Sequence, residues 1–117
     1  MAFTFTNVSD DPITGKQVFS AVTDTTSEAS TFYPAFIPRY IRVYDETNAI
    51  QFEWFTGQAA DSMKMTIATG GAISQEVANG ITCKATTSAT PGNGPAMVTL
   101  GTTIHTNSST YRISCRK

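Results

Sequence analysis

Phe36-Ile-Pro-Arg-Tyr-Ile-Arg-Val-Tyr-Asp45 runs through the short polar turn Asp45-Glu-Thr-Asn48 into Ile50-Gln-Phe-Glu-Trp-Phe55. In the first arm Ile41 and Val43 fall on one side, and Tyr40, Arg42 and Tyr44 on the other. In the second arm Phe52 and Trp54 oppose Gln51, Glu53 and Phe55. A period of two belongs to a strand with one buried face, not to a helix. Two such arms separated by about four polar residues predict a β-hairpin over 36–55. Pro38 has no N–H to give to a ladder, so the start of the first arm is placed at an edge or a bend.

The same period extends in both directions. Phe3-Thr-Phe5 and Gln17–Val22 read as strands, separated by the turn residues Asp10-Asp-Pro12 and Thr14-Gly15. Asp24–Ser30 is a polar Thr/Ser-rich loop. Met63, Met65 and Ile67 alternate with Lys64 and Thr66 as a strand does, while Gln58–Met63 also suits one helical turn capped by Asp61. Gly70-Gly71 breaks the pattern, Ala72–Val77 reads as a short strand, and Asn79-Gly80 is the strongest turn dipeptide in the chain. Ile81–Thr86, Met97–Ile104 and Thr110–Cys115 complete the set. The breaker-rich Thr87–Pro95 and the polar Thr106–Ser109 serve as connections. The expected fold is all-β: a jelly-roll-like β-sandwich of about eight strands, one domain over residues 1–117, with 1–16 as a candidate extended arm.

Composition bounds the function. The 117 residues suffice for one hydrophobic core. Eight basic and nine acidic residues give a net charge of -1. That balance argues against nucleic acid and against a polybasic membrane tether. Charged residues are 15% of the chain, against about 25% in a typical domain, and there are 20 Thr and 10 Ser. A hydroxyl-rich, weakly charged surface repels copies of itself little, which suits a component of an assembly. The start of the chain lacks the basic and apolar regions of a secretion signal, so folding in the cytoplasm is expected. The Asn7-Val-Ser9 and Asn107-Ser-Ser109 glycosylation matches are then chance. Cys83 and Cys115 each alternate onto an apolar face and are read as reduced core thiols.

No residue set announces catalysis. His105 is the only histidine and sits beside a turn, where a solvated side chain is expected. No Ser lies in a Gly-x-Ser-x-Gly setting and no glycine-rich stretch carries a phosphate-loop Lys. Glu53 is read as a cross-strand partner of Arg39 or Arg42 rather than half of a glycosidase pair. The turn acids Asp10, Asp11, Asp45 and Glu46 are too sparse for calcium. Neither a cofactor nor a metal is expected. The aromatic-rich region is the better candidate. Trp54 and Phe52 belong to the core. Tyr33, Phe36, Arg39, Tyr40, Arg42 and Tyr44 are the candidate interface, because Tyr and Arg are enriched where proteins dock. A cover from a second layer of the same domain, or a sugar-stacking platform, are the other readings of Tyr40 and Tyr44.

Phe36–Asn48, with Ile50–Gly57 and Asp61–Lys64, resembles small virion proteins of tailed bacteriophages over residues 36–70, under a third of the chain. The resemblance implies a decoration or cement protein, not an enzyme. It would sit on the capsid surface of the virion, made in the host cytoplasm, bound to the major capsid protein and to neighbouring copies as a dimer or trimer. A tail or head-fibre module and a carbohydrate-binding β-sandwich are the alternatives.

Overall fold

The structure is a computed structural model that describes residues 3–11, 14–59, 61–67, 71, 73–85 and 96–117. Among them run nine strands: β1 (Phe3–Asp11), β2 (Lys16–Thr23), β3 (Ser30–Phe32), β4 (Tyr40–Asp45), β5 (Ile50–Phe55), β6 (Ser62–Ile67), β7 (Ile73–Ala85), β8 (Ala96–Leu100) and β9 (Thr110–Arg116). The fold is all-β, as the alternation predicts. The strands form one antiparallel sheet in the order β1-β2-β9-β4-β5-β6-β7-β8-β3. β4 to β8 are a sequential meander, and β9 returns to lie between β2 and β4.

The sheet curls until its two edges approach. The Phe3 N–H of β1 donates to Ser30 Oγ of β3 at 3.3 Å, and the Phe5 and Phe32 rings meet at 5.1 Å. The result is a nearly closed barrel around one core to which all nine strands contribute. Phe52, Ile41, Val43, Met63, Ile81, Leu100, Ile113 and Tyr111 are almost fully buried in it. Two packed layers, as the sandwich reading requires, are thus supplied by a single sheet folded on itself. Residues 3–11, taken above as part of a candidate arm, pair with β2 along their length, with an irregularity between Asn7 and Ser9. β3 starts at Ser30, the last residue of the expected polar loop. Its three residues are too few to show a period.

The predicted hairpin forms over Tyr40–Phe55, with Tyr40 facing Phe55, Arg42 facing Glu53 and Tyr44 facing Gln51, while Phe36–Arg39 lie in the connection before it. The Asn79-Gly80 turn does not. β7 runs through it as one 13-residue strand. Glu76 pairs with Met63 and Ile81 with Ser62, so Val77–Gly80 are looped out as a kink. Asn79 takes a φ of 57°, which meets the same left-handed requirement a hairpin turn would have made. The kink is gripped from both sides. Gly80 N–H donates to Asp61 O at 2.9 Å, Gly101 N–H to Gly80 O at 2.7 Å, and Thr103 N–H to Asn79 O at 3.2 Å. The dipeptide therefore bends a strand between two neighbours instead of reversing the chain. β8 ends at Leu100, and the expected extension to Ile104 is a turn closed by Ile104 N–H to Gly101 O at 3.2 Å. The Thr87–Pro95 loop and Gly70 lie outside the described residues.

His105 departs from its solvated expectation. It is 9% exposed, with its ring edge-on to Phe3 at 5.7 Å, because the turn before it folds back over the open end of the core. Its Nε2 and the indole Nε1 of Trp54 have no hydrogen-bond partner among the described residues. Both cysteines are free thiols, Cys115 buried and Cys83 half-buried. Burial, reinforced by the neighbouring Cys83, pushes the Cys115 thiol up to about 12. Burial also raises Cys83.

A polar knot around the buried Asp45 ties the β4–β5 turn to the connection before β9. Asp45 is fully buried. Its Oδ1 accepts the backbone N–H groups of Thr47 at 3.1 Å and Asn48 at 3.0 Å. Its Oδ2 accepts Asn48 Nδ2 at 2.9 Å and Thr106 Oγ1 at 2.7 Å. The Tyr111 hydroxyl donates to Ile104 O at 2.7 Å and accepts Thr106 N–H at 2.8 Å. This accounts for a carboxylate in the core: each oxygen has at least two donors.

Candidate functional site

The outward residues of β2, β9, β4, β5 and β6 lie in register and form one face. One row across the strands reads Ser20, Arg112, Tyr44, Gln51, Thr66. The next reads Val18, Ser114, Arg42, Glu53, Lys64, and the third Lys16, Arg116, Tyr40, Phe55. Each strand alternates because its other residues fill the core, so the hydrophobic pattern itself sets what this face displays.

Glu53 is the centre of the face. Its Oε2 accepts the Tyr40 hydroxyl at 2.8 Å, and its Oε1 accepts Gln51 Nε2 at 2.9 Å with Lys64 Nζ at 3.8 Å. Burial pushes the carboxyl up, but the Tyr40 and Gln51 hydrogen bonds and the charges of Lys64 and Arg42 outweigh it, so the group titrates below its ordinary range. Tyr40 moves oppositely. Burial first, then the hydrogen bond to Glu53 and its negative charge, push the phenol up to about 12. The Tyr40 ring is held by Phe55 at 5.1 Å and by the Arg116 guanidinium 6.0 Å from its centroid.

A carboxyl depressed in the folded state stabilises the fold above its unfolded pKa, about 4.3 for Glu. That contribution is lost as pH falls through the folded value. Glu53→Gln keeps the shape and removes the charge. It is expected to lower stability at pH 7 by about 1 kcal/mol, with the gap to the wild type narrowing as pH falls below the ordinary glutamate range. Thermal melts of both proteins across that range measure it; a gap that stays constant with pH would refute the assignment.

The expected interface residues separate. Tyr40, Arg42 and Tyr44 share the face, with Arg42 exposed and Tyr44 37% exposed. Tyr33 is exposed in the β3–β4 connection, at 39%. Arg39 is exposed at the end of the sheet, its N–H bonded to Arg116 O at 2.8 Å. Phe36 is a correction: it is 6% exposed and packs in the core. The connection that carries Pro34 and Pro38 turns its ring inward to cap the barrel end. Arg112, Arg116 and Lys16 were not singled out from the sequence. The Thr110–Cys115 alternation puts Arg112 outward, but nothing local says that β9 lies beside β4.

Beside this face lies an open depression of about 880 Å³ lined by Ala35, Phe36, Ile37, Pro38, Arg39, Thr56 and Lys117. Ile37 in its lining is 50% exposed, and Phe55 in the third row is 44% exposed. Along β7, Ile73 and Val77 are also open, at 65% and 78%. Among the described residues no group of three His, Cys, Asp or Glu side chains could hold a metal ion, and no helix is long and apolar enough to cross a membrane. The face presents charge, aromatic edges and hydroxyls on a rigid sheet, a surface suited to binding. No family model, curated protein or solved structure matches the chain.

Proposed function

We propose that the chain is a structural subunit that docks through the outer face of β9, β4 and β5, in the manner implied by its resemblance to phage capsid decoration proteins. In that role it binds the major capsid protein and neighbouring copies on the virion surface. One observation carries the reading: Tyr44, Arg42 and Arg112 stand exposed side by side on adjacent, fully paired strands. Exposed Tyr and Arg on a preorganised surface lose little conformational entropy on docking. The exposed apolar residues Ile37, Phe55, Ile73 and Val77 add area to bury at the margins.

Light scattering of the full chain across a concentration series tests this. The wild type is expected to form a dimer or trimer, and Tyr44→Ala with Arg112→Ala to weaken self-association about tenfold, equivalent to about 1.4 kcal/mol. Both side chains are exposed, so the melting temperature should hardly move. Equal association of the two proteins would remove this face from the interface, and a strictly monomeric wild type would remove the homo-oligomer.

A further inference from the structure

The balanced net charge conceals a strong segregation. Of the chain's eight basic residues, five (Lys16, Arg42, Lys64, Arg112 and Arg116) are outward on the face just described. Arg39 and Lys117 line the depression at its lower end, leaving only Lys84 elsewhere. On the acidic side, Glu53 is within the face and Glu46 sits at its upper margin, bonded to Arg112 at 2.9 Å. Asp11 lies at the β1 margin, opposite Lys16. Among the described residues neither Arg42 nor Arg39 is in an ion pair.

We propose that the partner of this face is an acidic protein segment that also carries an apolar anchor, its carboxylates meeting the arginines and its anchor seated in the adjoining depression against Ile37. The inference rests on the docking reading and specifies the chemistry of the docked surface. Two kinds of complementarity support it. The arginines of β4 and β9 offer planar donors for carboxylates. The adjoining depression is lined by Phe36, Ile37 and Pro38 together with Arg39 and Lys117, which fits an apolar side chain flanked by negative charge.

A nucleic acid strand fits less well. The Glu53 carboxylate sits in the middle of any path across the rows and repels phosphate. Tyr40 is not an open stacking platform, because Arg116 and Phe55 hold its ring and Glu53 holds its hydroxyl. The net charge of -1 gives no long-range attraction to a polyanion.

Fluorescence anisotropy with the full chain at low ionic strength tests the inference. The probes are a short labelled peptide of alternating glutamate and leucine, its lysine–leucine and all-glutamate counterparts, and an oligo-dT of matching length. The glutamate–leucine peptide is expected to bind best. Its affinity should fall about tenfold in Arg42→Gln with Arg116→Gln, and by a similar factor in Ile37→Ser. Absence of binding, equal binding by the charge variants, or tighter binding of the all-glutamate peptide or of oligo-dT would each overturn it. Self-association through Tyr44 and Arg112 without any peptide binding would end this inference and leave the docking reading standing. A strictly monomeric wild type with peptide binding intact would remove the homo-oligomer and leave this inference standing.

Discussion

Gly101→Ala is expected to cost about 3 kcal/mol or more and to lower the melting temperature by roughly 10–15 °C. Gly101 is buried where the turn after β8 meets the β7 kink. A Cβ there would overlap the Asn79 carbonyl and its carbon. Neither backbone can yield cheaply. Gly101 N–H is bonded to Gly80 O at 2.7 Å, and the Asn79 carbonyl already accepts Thr103 N–H at 3.2 Å. Separating the two segments breaks hydrogen bonds on both sides and opens the end of the barrel. Gly57→Ala is the informative control. Gly57 has a φ of 94°, but a Cβ at that position would meet nothing within 4 Å, so it carries only the left-handed strain, about 1 kcal/mol. Paired thermal or urea unfolding curves separate crowding from backbone strain. Equal losses in the two variants would show that the β7 kink is not held as described.

Asp45→Ala is the second large effect. Removing the carboxylate strips acceptors from the part-buried Thr47 and Asn48 backbone N–H groups and from the Thr106 hydroxyl, around a side chain that is itself fully buried. A donor left unpaired where water reaches it only in part costs more than the net value of its bond. The expected loss is about 3 kcal/mol, read as a lower urea midpoint with an unchanged slope. Asp45→Asn keeps an acceptor for the two backbone groups but presents an amide to Thr106 and Asn48. It should fall between the alanine variant and the wild type. A loss under about 1 kcal/mol in the alanine variant would show that the knot is dispensable. Because the knot joins the β4–β5 turn to the entry of β9, its failure is expected to loosen the strand pair that presents Tyr44 and Arg112.

Much of the fold was legible wherever a strand buries one face. The 36–55 hairpin is the best case: Ile41, Val43, Phe52 and Trp54 point inward as their spacing required, so Tyr40, Arg42 and Tyr44 had to point outward. Legibility failed where the deciding partner is distant in sequence. β3 has three residues and is held by its pairing with β8 and the Phe5 and Phe32 contact. Asn79-Gly80 carries the correct local preference, a left-handed φ, but whether that bends or reverses the chain depends on the bonds from Asp61 and Gly101. His105 and Phe36 are buried because turns and prolines fold them over the barrel ends, and no periodicity reports that.

The sequence by itself determined the all-β class, the inward and outward faces of each long strand, and a composition near charge balance. Those follow from local backbone preference and from the period of the side chains. Only the tertiary structure decided that the strands make one nearly closed sheet, that Asp45 is a core residue, and that β9 lies against β4. That last contact, between segments more than sixty positions apart, puts Arg112 and Arg116 beside Tyr44 and Tyr40. It turns a balanced chain into a molecule with one basic face, because net charge is a sum over residues and a surface potential depends on where they stand.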